Sequence, residues 1–133
     1  MPRLELMATL IGLRSICFIS KELRLDNSEK ILWTDSQCVL KWLKQTDNTE
    51  VFVRNRVSEI IQQEDITFRY INTKHNPADL PTRGLSVTEL KDSKLWWNGP
   101  EWLLQKMEDW PQWETEPINP RCTNDDKEET KNM

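Results

Sequence analysis

The sequence predicts an α/β fold in which helix, strand, helix, helix, strand and loop follow one another, because two strands joined through helices form a parallel pair. Three observations carry this. An apolar stripe at helical spacing runs from residue 3 to about 25, and a short run, Ile31-Leu32-Trp33, follows it between polar residues. Farther on, Ile66, Phe68 and Tyr70 alternate with Thr67, Arg69 and Ile71 at the period of a strand.

In the first helix the stripe is Leu6, Met7, Leu10, Leu13 and Cys17, with Leu23 as a candidate extension. Glu5 is followed on its own side by Ala8, Thr9 and Gly12, all small, so the helix can lie close against what it covers with a carboxylate at one end of the seam. Asp26-Asn27-Ser28 is a turn-rich cluster that ends it. The length and β-branched or aromatic content of residues 30–33 favour a buried strand. After Thr34-Asp35-Ser36, helical spacing returns over 37–45 through Val39, Leu40, Trp42 and Leu43. The turn 46–49 leads to another helix at about 50–63, whose inner stripe is Val53, Val57, Ile60 and Ile61. Residues 72–84, broken by Asn-Pro and Leu-Pro, read as a loop.

Length and composition bound the function. The 133 residues amount to one domain, and 22 acidic against 18 basic side chains leave a net charge of −4. That excludes a generally basic protein that coats nucleic acid. It leaves a nuclease open, because a site that gathers metal ions needs carboxylates and can leave phosphate contacts to a few local Arg and Lys. Cys17, Cys38 and Cys122 are far apart and odd in number, which argues against disulfides and zinc; Cys17 and Cys38 read as small buried hydrophobes in a reducing compartment. No run of 18 apolar residues occurs, and charges interrupt the first helix, so neither a membrane span nor a signal peptide is expected. The expected location is intracellular, in a compartment the sequence leaves open.

Three segments are expected: a folded part at 1–84, a Trp-rich stretch at 85–113 holding five of the seven tryptophans, and an acidic, disordered tail at 114–133. The tryptophans read as packing anchors, since Lys106 is the single cation set against Glu101, Glu108 and Asp109 between residues 95 and 113. Trp33 and Trp42 read as core or near-core.

Glu5, Asp35 and Asp79 fall at the ends of expected elements. Carboxylates at the C-terminal ends of adjacent parallel strands point into one crevice, and an all-oxygen set suits Mg²⁺ or Mn²⁺. Two such ions about 3.5–4 Å apart activate water and hold the leaving oxygen of a phosphodiester. Each acid also has a structural reading: Glu5 as a first-turn glutamate, Asp35 as an N-cap, and Asp79 as the third residue of a turn capped by Asn76.

Three ordered blocks, Pro2-Arg3-Leu4-Glu5-Leu6-Met7-Ala8, Leu32-Trp33-Thr34-Asp35-Ser36-Gln37 and Asn76-Pro77-Ala78-Asp79-Leu80-Pro81-Thr82-Arg83-Gly84, resemble the ribonuclease H region of BEL/Pao-type retrotransposon polyproteins. A fourth, residues 93–103 with Trp96-Trp97-Asn98-Gly99-Pro100, is similar to the segment that leads toward integrase there. The resemblance covers about 2–113. It implies a partial ribonuclease H-like fold that keeps the fourth and fifth strands and lacks the first three. Glu5, Asp35 and Asp79 would be catalytic metal ligands for Mg²⁺ or Mn²⁺, with a two-ion site completed by an aspartate on the missing N-terminal strands. The intact parent would cleave the RNA strand of an RNA–DNA hybrid, and this chain alone is expected to be inactive.

His75, the sole histidine, reads either as a solvated loop side chain or, by the resemblance, as a helper in product release or proton transfer. Arg54, Arg56, Arg69, Lys74 and Arg83 are candidate phosphate contacts, each with a solvated face as its alternative. With so few strands the chain is expected to be marginally folded, or to need the missing strands or another protein at its open sheet edge. The alternative function is a non-catalytic remnant or domesticated protein that acts through protein–protein contacts.

Overall fold

The structure, a computed structural model, describes residues 2–45, 50–113 and 116–119. Helix α1 (Pro2–Glu22), strand β1 (Lys30–Thr34), helices α2 (Gln37–Lys44) and α3 (Val51–Ile61) and strand β2 (Ile66–Tyr70) come in the expected order. The expected loop instead holds a 3-10 turn, Thr73–His75, and the short helix α4 (Asp79–Arg83). Helices α5 (Val87–Lys91) and α6 (Lys94–Asn98) and two more 3-10 turns, Glu101–Leu104 and Met107–Asp109, follow. The fold is mixed α/β, and the described residues form a two-stranded parallel sheet. They divide into two compact units, one holding those up to Tyr70 together with 116–119, the other 71–113.

In the first unit β1 and β2 pair in register from Lys30 opposite Ile66 to Thr34 opposite Tyr70. A parallel pair needs a long crossover, and α2 and α3 provide it. Period-two alternation sends Ile66 and Phe68 inward, both fully buried, while Thr67 and Arg69 stay half-buried on the other face. Leu32, opposite Phe68, joins the same core. Helix stripes close it from above: Leu6, Leu10 and Leu13 of α1, Val39, Leu40 and Leu43 of α2, and Val53, Val57 and Ile60 of α3.

Helix α1 lies close to β1 because Gly12 has no side chain; a Cβ there would stand 3.3 Å from Leu32 Cδ1. Thr9 is buried in the same seam, whereas Ala8 faces solvent. The helix ends at Glu22, earlier than its stripe suggests. Arg24 takes the left-handed φ of 54°, and Leu25 N–H reaches back to Ser20 O at 2.8 Å. Leu23 therefore lies past the helix and is 64% exposed.

Cys17 and Cys38 are free and half-buried rather than buried, while Cys122 lies outside the described residues. Trp33 and Trp42 are half-buried, and Trp33 carries the Arg69 guanidinium 5.3 Å from its ring centroid. Of the stretch 114–133, residues 116–119 are described. There Ile118 is buried and exchanges two 2.8 Å backbone hydrogen bonds with Phe68, a pairing that the polar composition around it does not announce. No described helix is long and apolar enough to cross a membrane.

Phe68 joins sheet, helices and the Ile118 bridge, so Phe68→Ala is expected to cost about 3–5 kcal/mol in urea unfolding. Leu104→Ala, at a side chain that is 93% exposed, is expected to change stability by less than about 0.5 kcal/mol.

Candidate functional site

The first unit brings two of the expected site residues to one place. Asp35, half-buried, comes directly after Thr34, the last residue of β1, and Ser36 comes next. Glu5 stands in the first turn of α1 and is exposed. The Ser36 hydroxyl donates to Glu5 Oε2 at 2.6 Å and accepts from Val39 N–H at 3.2 Å. The cap of α2 is therefore Ser36 and not Asp35. A hydroxyl has one proton and two lone pairs, so a single buried serine can start α2 and hold the glutamate of another helix. Ser36 is 6% exposed, and its own N–H is met by Thr34 Oγ1 at 3.1 Å.

Asp79 begins α4 in the second unit, where Arg83 meets its Oδ2 at 2.7 Å, one helical turn away. Arg83, expected on phosphate, is thus held by a carboxylate. Asn76 Oδ1 accepts from Ala78 N–H at 3.2 Å in the turn before α4, but the N-cap of that helix is Ala78, so Asp79 is its first residue and not its third. His75 is exposed in the 3-10 turn, and its Nδ1 accepts from Trp102 Nε1 at 3.1 Å. Trp113 meets the same imidazole edge-on at 6.0 Å between centroids, and Trp102 packs with Trp110 at 5.7 Å. These three tryptophans are half-buried anchors, whereas Trp97 is 65% exposed. Lys74 is exposed beside His75.

No family model, no curated protein and no solved structure matches this chain.

Among the described residues, no three His, Cys, Asp or Glu side chains gather closely enough to hold a metal ion. A magnesium ion is commonly bound by one or two carboxylates, with waters and substrate phosphates filling the rest. Glu5 and Asp35 supply oxygen donors of the kind such an ion takes. They do not fit a complete two-ion site.

Other features lie apart from the carboxylate pair. A shallow groove of about 390 Å³ on α1 is lined by Ile11, Arg14, Ser15, Phe18 and Ile19. Cys17 lines a smaller cavity of about 250 Å³ with Lys30 and Asp65, where burial first, and then the Asp65 carboxylate, push its thiol pKa up against the lowering effect of Lys30. A raised thiol carries little thiolate, so Cys17 is a poor nucleophile.

Arg54 is exposed on α3, while Arg56 is half-buried with its guanidinium 4.2 Å from the Phe52 ring centroid. Sequence reasoning missed Ser36, Arg3 and Phe52. Ser36 was legible as a cap, because it precedes the apolar stripe of α2 by three residues. Its hold on Glu5, 31 residues away, has no local signal.

Ser36→Ala removes the cap and leaves Glu5 without this donor, and is expected to cost about 1–2 kcal/mol in urea unfolding. Ser36→Asp keeps an acceptor for Val39 N–H but sets a second carboxylate against Glu5. Its deficit is expected to be relieved by Glu5→Gln, and a double-mutant cycle measures the coupling.

Proposed function

We propose that this chain is the C-terminal part of a ribonuclease H-like domain of the BEL/Pao retrotransposon type, and that its intact parent hydrolyses the RNA strand of RNA–DNA hybrids. The observation that carries the proposal is the Ser36 hydrogen bond to Glu5, which brings a helix-borne glutamate to the C-terminal end of the strand that Asp35 follows. That end of a parallel strand is where open α/β sheets bind their ligands. The parallel pairing of β1 and β2 through helices supports the same reading.

In this reading Glu5 and Asp35 hold a Mg²⁺ or Mn²⁺ ion, which when bound supplies an activated water and neutralises charge on the phosphodiester. Ser36 fixes one oxygen of Glu5 and so sets which way the carboxylate presents the other. The resemblance implies Asp79 as a further ligand and His75 as a proton-handling side chain. The Trp102 N–H on Nδ1 holds His75 in the tautomer with its proton on Nε2. Three carboxylates fall short of the four that the resemblance implies, so the chain alone is proposed not to cleave.

A second reading, a non-catalytic protein that acts through protein contacts, is favoured by one feature of α1. Leu4, Ile11 and Phe18, seven residues apart in turn, are 61%, 59% and 65% exposed.

The test is cleavage of an RNA–DNA hybrid in Mg²⁺ or Mn²⁺. The chain alone is expected to be inactive, and an extended protein that adds the aspartate-bearing N-terminal strands is expected to cleave. In that protein Asp35→Asn and Glu5→Gln should abolish cleavage, and Ser36→Ala should lower it about 10–100-fold by loosening Glu5. Cleavage that survives Asp35→Asn, or an extended and folded protein that never cleaves, would sink the nuclease reading in favour of the second.

A further inference from the structure

Phe52, in the first turn of α3, has two guanidinium groups over its ring: Arg56 Cζ at 4.2 Å and Arg3 Cζ at 5.3 Å from the centroid. Arg56 follows Phe52 by four residues on the same helix, so the two side chains are surface neighbours. Arg3 comes from the first turn of α1 and also meets Glu50 Oε2 at 3.0 Å in an exposed ion pair. Arg56 is half-buried, and among the described residues no carboxylate stands within ion-pair distance of it.

This arrangement holds like charges together. The negative face of the ring offsets part of their repulsion and Glu50 offsets part for Arg3, while a half-buried guanidinium without an anion keeps a desolvation cost. A guanidinium held over a ring keeps N–H groups for an anion, and two parallel hydrogen bonds from its fork suit a phosphate. The brace also restricts rotamers that two long side chains would otherwise lose on binding.

We propose that Arg3 and Arg56, braced on Phe52, clamp a backbone phosphate of a bound nucleic acid. This deepens the nuclease reading and rests on it. Arg3 and Glu5 both stand in the first turn of α1, so the clamp belongs to the same helix end as the proposed carboxylate site. A confined clamp also suits a chain whose net charge of −4 forbids general coating of nucleic acid.

The experiment is fluorescence anisotropy of the full chain with a labelled RNA–DNA hybrid, in chelator to remove metal and over a series of salt concentrations. The double variant Arg3→Gln/Arg56→Gln is expected to bind at least about tenfold more weakly, with its salt slope flatter by about 1–2. Arg14→Gln, which loses the exposed ion pair of α1 with Glu59, is expected to bind as the parent does. Arg3→Lys/Arg56→Lys keeps the charge and should recover most of the slope but not the affinity, which separates phosphate binding from a loss of fold. Unchanged affinity and slope in the glutamine variant, or no hybrid binding by the parent, would overturn the clamp. So would displacement of the hybrid by millimolar inorganic phosphate but not by sulfate at equal ionic strength, since the site would then serve a free anion. Failure of the nuclease reading has a different signature: the clamp variants still weaken binding, but the extended protein never cleaves.

Discussion

The first unit depends on the parallel pairing of β1 with β2. Parallel strands cannot be joined by a tight turn, so the chain must leave the sheet at Thr34 and return at Ile66, and α2 and α3 occupy that interval. The crossover stacks both helices against α1 over Leu32, Ile66 and Phe68. It also fixes the geometry of the proposed site, because the residues that leave β1 are Asp35 and Ser36. They emerge at the strand end over which α1 brings Glu5. The glycine at position 12 lets α1 run that close to β1.

Ser36 joins this architecture to the proposed chemistry. Its hydroxyl ends one chain of constraints, the start of α2, and begins another, the orientation of Glu5. The carboxylate is thereby held by a residue of a different element and not merely by its place near a helix N-terminus. An exposed carboxylate that receives a hydrogen bond from a buried hydroxyl loses rotamers before any ligand arrives, which lowers the cost of binding a cation or a phosphate-bound water. Phe52 carries the guanidinium groups of Arg56 and Arg3 over its ring.

Much of the first unit was legible because its signals are local. The stripe Val53, Val57 and Ile60 and the alternation of Ile66, Phe68 and Tyr70 name their elements directly, and both strands are parallel as the order of elements requires. The end of α1 was not legible, since it is set by the φ of Arg24, a residue type with no preference for that region. The Ile118 bridge was missed for a related reason: one apolar residue in a polar stretch has no period, and only the exposed edge of β2 gives it a partner. At the site, the positions of Glu5 and Asp35 at element ends could be read from the sequence. Which hydroxyl would hold Glu5, and that Arg3 would cross to the ring of α3, depend on contacts over 31 and 49 residues.

The proposed function requires Glu5 and Asp35 to hold a cation together at the end of β1. Paramagnetic broadening by Mn²⁺ of the backbone amide signals of the labelled chain tests it most directly, and needs neither substrate nor turnover. Selective loss of the signals of residues 4–6 and 34–37 at low Mn²⁺, abolished by Asp35→Asn, is the result this account predicts. Broadening that leaves those amides sharp, or that persists there without the Asp35 carboxylate, would contradict it.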